Sequence, residues 1–388
     1  MAITIISTPN QFMAAYNQVA YTVSSNNTAQ SNFNFIVDVN QTSGTNNPLA
    51  RLKYPVQPSS AQLKFDIGNV LKNYVSYDFF NATGTLYAPN LNSRIKHYLD
   101  FRELYDVSGI PTLSGVLVSS PTTPSSSSFK WSGNTIFDFE DFSANEYYDL
   151  RVENYGFLNT KLTTPENILV SQNKILTFFD PNKLVKYFNL SIKTSDYLVE
   201  ISKTSQEFLY NINVGKYLLD LSLLAIDTSY QIDLLTESFV SLATFNFKNT
   251  PECSQYEIVR LHWFNKNGAW DSFNFIKNSS KEIDIERKQF KAPLPIGYLK
   301  SDRLKQNYNT TITDVININS DWVSDEVSVM LEELATSPIV YLERSATDFI
   351  AVNIVNRNYE TKKYMTDRRL FNISFDIEYT YNRYRQTL

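Results

Sequence analysis

Tyr256-Glu-Ile-Val-Arg-Leu-His-Trp-Phe264, then Asn265-Lys-Asn-Gly268, then Ala269-Trp-Asp-Ser-Phe-Asn-Phe-Ile276, reads as a β-hairpin. Two runs rich in β-branched and aromatic residues flank a short turn that contains Gly. The same grammar recurs elsewhere. Phe33, Phe35, Val37 and Val39 alternate with Asn34, Ile36 and Asp38, and Ile95, His97, Leu99 and Phe101 alternate with Lys96, Tyr98 and Asp100. Phe371, Ile373, Phe375, Ile377, Tyr379 and Tyr381 form the cleanest period-2 run in the chain. Asn and Ser supply most turns, because Gly is scarce at 10 residues.

These runs predict a mainly β protein of two or three antiparallel β-sandwich-like domains with a few short helices. The first domain spans 1–118. A Ser/Thr/Pro-rich loop and connector spans 119–182, with Ser119–Ser128 as a flexible exposed segment. A second β-sandwich-like domain spans 183–278, ending on the hairpin. A C-terminal β domain with one helix spans 279–388. Ile67, Val70, Leu71, Tyr74 and Val75 share one helical face, so a short helix is expected near 67–76 with Asp66 as its cap. A second helix is expected near 321–335, capped by Ser320 and facing the core through Val323, Val327, Met330, Leu331 and Leu334. Mixed charges over 279–303 point to a solvated strand or arm.

Charge and composition narrow the function classes. The net charge is −5, which argues against a general nucleic-acid binder. A single Cys excludes an intrachain disulfide, and the two His, His97 and His262, are too few for a His-based metal site. Met1-Ala-Ile-Thr-Ile-Ile-Ser7 has no basic lead and no long apolar core, and no run of about 18 apolar residues occurs. Seven Asn-X-Ser/Thr sequons fit the abundance of Asn better than glycosylation.

Each candidate for chemistry has a plainer structural reading. Asp138, Glu140 and Asp141 form an acidic cluster that would suit Ca²⁺ or paired carboxylates, but reads as a solvated face beside Phe137, Phe139 and Phe142. His97 and His262 read as packed histidines, and Cys253 as an inert thiol. Lys362, Lys363, Arg368, Arg369, Arg383 and Arg385 interleave with Tyr359, Tyr364, Tyr381 and Tyr384, yet Glu360, Asp367, Asp376 and Glu378 balance them. A subunit contact fits that stretch better than nucleic acid. No P-loop, dinucleotide-binding or Gly-X-Ser-X-Gly pattern occurs. No catalytic, cofactor-binding or metal residues are assigned.

Arg260–Ile276 followed by Glu286-Arg-Lys288 resembles a recurring motif of tailed-bacteriophage virion proteins, with strand, Asn-x-x-Gly-x-Trp-Asp-x-Phe turn, strand and Glu-Arg-Lys in that order. Lys266 stands where that pattern has Arg. Arg51-Leu-Lys-Tyr-Pro55 with Phe65-Asp-Ile67 and Asn73-Tyr-Val75 is similar to a second stretch, and Asp321-Trp-Val-Ser-Asp-Glu326 with Leu331-Glu-Glu-Leu334 and Ser337-Pro338 to a third. The resemblance is to phages of Bacteroidetes-type hosts, including crAss-like phages. It implies a non-enzymatic tail, neck or baseplate subunit made in the host cytoplasm and located in the virion: a tail hub, ring or fibre-adaptor protein. The expected partners are other copies in a homo-oligomeric ring and neighbouring tail or neck proteins, with no membrane and no directly bound nucleic acid. No cofactor is expected.

Two other readings compete. A carbohydrate-binding adhesin would expose some of Trp131, Trp263, Trp270 and Trp322 for stacking on sugars. A glycan-degrading enzyme would use a carboxylate pair such as Asp138 and Glu140.

Overall fold

Among the described residues, the alternating runs bury their apolar faces in three large cores, with two smaller clusters, around Phe12 and Phe179 and around Ile175 and Trp270, between them. The computed structural model describes residues 3–42, 47–57, 60–79, 86–113, 118–119, 130–133, 156–169, 172–192, 195–202, 208–215, 229–250, 256–294, 296–345, 347–355 and 370–384. The acidic cluster Asp138, Glu140 and Asp141, Cys253, the stretch 120–128, and Lys362, Lys363, Arg368, Arg369 and Arg385 lie outside them. The protein is mainly β, built from several antiparallel sheets with short helices.

In the first core, the sheet of Ile3–Ser7, Ala20–Ser25 and Gln62–Asp66 shares a core with the sheet around Asn34–Asn40 and Arg94–Val107. Phe35, Val37, Val39, Leu99 and Phe101 point into it, as their alternation predicts. The short helix is Gly68–Leu71, shorter than the expected 67–76, and its cap position is Ile67 rather than Asp66. Asp66 Oδ1 accepts the Gly68 N–H at 2.8 Å and the Val19 N–H at 2.8 Å, so this carboxylate ties the helix start to the neighbouring strand. Of the expected face, Ile67, Leu71 and Val75 are buried and Val70 packs against the same core, while Tyr74 is exposed.

The second core lies between a sheet of Tyr87–Pro89, Gly156–Phe157, Ile175–Phe179 and Leu209–Asn213 and a five-stranded sheet centred on Tyr187–Ile192 and Ser229–Leu235. Residues 156–179 thus supply strands to both sheets of this core. Tyr87–Pro89, from the first stretch of chain, pairs with Leu209–Asn213. The first and second units are therefore interleaved rather than strung in sequence.

The third core is an eight-stranded sheet backed by the helix Asp325–Thr336. The hairpin strands Val259–Phe264 and Trp270–Phe275 belong here, because Arg260, Leu261, His262 and Trp263 pair with Val340–Glu343. The helix begins four residues later than its periodicity suggests. The strand Lys305–Ser324 pairs with Leu370–Tyr379 as far as Ser324, which holds Trp322 and Val323 in the sheet. Ser324 is the cap, accepting the Val327 N–H, while Ser320 Oγ accepts the Ile373 N–H. Asp325 and Glu326 occupy the first turn, where the helix dipole favours acids.

The hairpin turn joins all three units. Gly268 sits at φ 84°, a conformation that favours Gly. Asn265 Oδ1 accepts the Asn267 and Ala269 N–H groups, bracing the turn from inside. Trp270 is fully buried and donates Nε1–H to the Asp78 carbonyl at 2.9 Å. Phe79, Phe264, Tyr77 and Tyr341 surround its indole, with ring centroids at 4.8, 5.3, 5.7 and 5.7 Å. Next to it, the buried Asp271 carboxylate accepts from Thr160 Oγ1 at 2.6 Å, Thr160 N at 3.2 Å, Asn265 Nδ2 at 2.9 Å and Asn159 Nδ2 at 3.1 Å.

Asp271→Asn keeps the shape but aims an NH₂ group at these donors. It is expected to cost about 2–4 kcal/mol, more than a neutral lost hydrogen bond, because a charge-assisted acceptor is replaced by a buried clash of donors. Chemical denaturation beside the exposed control Asp284→Asn checks this. An Asp271→Asn protein as stable as the control would show that the carboxylate does not hold the junction.

Candidate functional site

Arg260 is a charged residue inside the apolar run Val259–Phe264, and it is 2% exposed. Its guanidinium reaches out of the hairpin into the second unit. Nη2 donates to the Asn173 carbonyl at 2.5 Å and to Ser272 Oγ at 2.9 Å, and Nη1 donates to Gln172 Oε1 at 3.1 Å and Asn274 Oδ1 at 2.9 Å. Nε lies 3.1 Å from Glu343 Oε2. Glu343 Oε1 accepts from the Asn173 backbone at 3.1 Å and its side chain at 3.0 Å. His262 Nε2 sits 2.6 Å from Glu343 Oε2. Close by, buried Lys174 pairs with Glu166 at 2.6 Å.

Burial pushes the His262 imidazole down to about 4, against the opposing pull of the Glu343 hydrogen bond and helped by the Arg260 charge. His262 is therefore neutral at pH 7 and donates Nε2–H to Glu343. Burial by itself would raise the Glu343 carboxyl, but the His262 hydrogen bond and the Arg260 charge outweigh it and hold it below its ordinary value. Burial likewise lowers Arg260, opposed by Glu343. A general base must reach a substrate proton, and these side chains are walled in. The cluster works as a clamp between two sheets, and His262 is a packed histidine within it. His97 is also buried, 3.1 Å from the Tyr21 hydroxyl.

A cleft of about 380 Å³ opens between the second and third units. Leu162, Phe273, Val327 and Met330 give it an apolar lining, and Asp321 and Trp322 stand at its wall. A shift in register between Asn319 and Trp322, with Asp321 at φ 70°, turns this part of the strand. Trp322 is 59% exposed, whereas Trp263 and Trp270 are fully buried. Of Trp131, only the backbone is described, in a strand parallel to Phe12–Ala14. Lys277 lies 3.1 Å from Asp321. Burial would raise the Asp321 carboxyl, but the Trp322 N–H and Lys277 hold it below its usual range.

The third feature is an arm. Ser280–Lys291 pairs with Lys305–Ser324, and every residue of Ser280–Lys291 is exposed. Leu370–Tyr379 supports the longer strand only from Val315 onward. Arg383–Tyr384 pairs with it at Thr311 and Ile312, so about five residue pairs, from Arg287 and Thr310 to Lys291 and Lys305, run past the sheet as a two-stranded ribbon roughly 17 Å long. Arg383 pairs with Asp314. At the tip, Leu294, Ile296, Tyr298 and Leu299 are all exposed, Ile296 completely.

Sequence reasoning found the arm and treated His97 and His262 as packed residues. It missed the Arg260–Glu343 pair, whose signal was a lone cation in an apolar strand. It also missed the cleft, whose lining comes from segments far apart in sequence. Among the described residues, no group of three His, Cys, Asp or Glu is placed to hold a metal ion. No helix among them is long and apolar enough to cross a membrane.

No protein-family model matches the sequence, and no curated protein is significantly similar to it. Among solved structures, the chain is similar to the full extracellular region of plexin A4, domains 1 to 8, at 8% identity and a TM-score of 0.19. That alignment covers 97% of this chain and 36% of the plexin chain, and a likeness at this level carries no argument.

The depressed value of His262 fixes the sign of a pH effect. Its ordinary value is 6.5 and its folded value about 4, so its contribution is complete above pH 6.5 and is lost as pH falls toward 4. The loss is of order 3 kcal/mol, at 1.36 kcal/mol per unit. Glu343, held below its ordinary 4.5, adds a further loss only below that value. In His262→Gln, which keeps an N–H but does not titrate, the thermal midpoint should vary less between pH 6.5 and 4.5. Parallel pH profiles for the two proteins would contradict the neutral, clamped His262.

Proposed function

We propose that this chain is a non-enzymatic structural subunit of a tailed-phage virion, a tail hub, ring or fibre-adaptor protein that oligomerises and joins neighbouring tail proteins. The observation that carries this reading is the arm. A two-stranded ribbon is marginal in water without a covering surface, and this one ends in four exposed apolar residues. Contiguous exposed apolar surface of this kind marks an interaction site. The rest of the molecule supplies a stiff base, since the hairpin turn and the buried clamp lock the units together. The motif resemblance of Arg260–Ile276 supplies the virion context.

A second reading has one observation in its favour. Trp322 is exposed at an apolar cleft with Asp321 and Asn274 beside it, an arrangement that suits a sugar ring stacked on indole with its hydroxyls on polar groups. Under that reading the chain is a carbohydrate-binding tail protein.

Light scattering on the purified chain, with negative-stain images of the same fraction, separates the two. The assembly reading expects a stable multimer of defined mass and closed symmetry. A strict monomer that binds glycans on an array, and loses that binding in Trp322→Ala, would replace it with the adhesin reading.

A further inference from the structure

We propose that the arm tip of one copy docks in the Trp322 cleft of a second copy, and that this head-to-tail contact joins the subunits. The proposal deepens the assembly reading and rests on it in requiring self-association.

Shape is the first argument. The tip presents Leu294, Ile296, Tyr298 and Leu299 to solvent. The cleft is an apolar recess of about 380 Å³ walled by an exposed indole. Ligand-sized recesses start near 300 Å³, so it has room for one or two of the tip's side chains. Trp is among the residues enriched at interface hot spots, which are desolvated once the partner is seated.

Charge is the second. Lys291, Lys300, Arg303 and Lys305 surround the tip, against Asp302 alone. Asp321 lines the cleft, and Asp325 and Glu326 follow it at the start of the helix whose Val327 and Met330 form the floor, Glu326 accepting from Thr163. Lys277, on Asp321, and the exposed Lys161, next to the lining residue Leu162, are the opposing charges. Glu166, which also lines the cleft, is neutralised by Lys174. A basic apolar plug thus faces an acid-rimmed apolar socket, which speeds encounter and fixes orientation.

Connectivity is the third. The same strand, Lys305–Ser324, leaves the tip at Lys305 and reaches the cleft at Asp321. Tip and cleft of one chain stand about 50 Å apart along it. The plug cannot enter its own socket, so the contact forms between copies. It joins unlike surfaces, and such contacts propagate into a ring when the rotation closes.

Mixing two full-length variants tests this by sedimentation velocity. The arm variant carries Ile296→Asp and Leu299→Asp, and the cleft variant carries Trp322→Asp. All three positions are exposed, so both variants should keep the wild-type thermal midpoint. The wild type is expected to be multimeric. Each variant alone should associate at least about thirtyfold more weakly, the size of one hot spot. Their mixture should form a dimer and stop there, because one variant retains a working socket and the other a working plug. A mixture that stays monomeric overturns the contact. A wild-type multimer whose mass neither variant changes also overturns it, and leaves the assembly reading standing. A wild type that is monomeric at its highest soluble concentration overturns both.

Discussion

The Asp271 carboxylate is the point on which the three units depend. It is a buried charge, and a buried charge is tolerable only when its lone pairs are filled. Its donors come from its own turn, through Asn265, and from the start of the second unit, through Asn159 and Thr160. Asn159 also donates to the Ile175 and Trp270 carbonyls, so one amide ties the second core to the third. Trp270 then reaches the first unit through Asp78. The residues of Asn-x-x-Gly-x-Trp-Asp each have a separate task here. Asn braces, Gly permits the turn, Trp fills the junction and Asp collects the donors.

Polar and apolar contacts divide the work at this junction. Phe79 stacks on Tyr341 at 4.6 Å and meets Phe349 edge-on at 4.8 Å, which draws the first unit onto the third. Apolar contacts are non-directional and would tolerate sliding. Arg260 and Glu343 do not, because breaking one partner of a buried pair leaves an uncompensated charge costing roughly 3–5 kcal/mol. Two contacts of the Arg260 guanidinium, to Gln172 and the Asn173 carbonyl, therefore set the register between the hairpin and residues 172–173, while Ser272, Asn274 and Glu343 hold the guanidinium in place.

Much of the fold was legible because period-2 burial is a local property. Phe35, Val37, Val39, Ile373, Phe375 and Ile377 face the cores that their alternation assigns. What stayed hidden was long-range pairing. Nothing local distinguishes Tyr87–Pro89 as a strand of the second unit, or tells the hairpin to join Val340–Ser345 rather than the strands before it. The helix start was misjudged because Ser320 and Ser324 are equivalent caps in sequence, and only pairing with Leu370–Tyr379 keeps the chain extended to Ser324. The cleft was invisible for the same reason, since Leu162, Phe273 and Trp322 meet only in three dimensions.

The arm also explains a feature of its own sequence. Ser280–Lys291 is the edge strand of the eight-stranded sheet. An exposed edge invites pairing with any other strand, and proteins suppress this with charge, Lys above all. This strand carries Lys281, Glu282, Asp284, Glu286, Arg287, Lys288 and Lys291. Mixed signs at such density penalise most in-register pairings, because a partner strand must match each charge in turn. The edge is thereby poor at adding strands, while the tip beyond Lys291 is apolar. In the proposed contact, association is directed away from the backbone hydrogen bonds, which any chain can offer, and onto a few side chains whose shape and charge would select one partner surface.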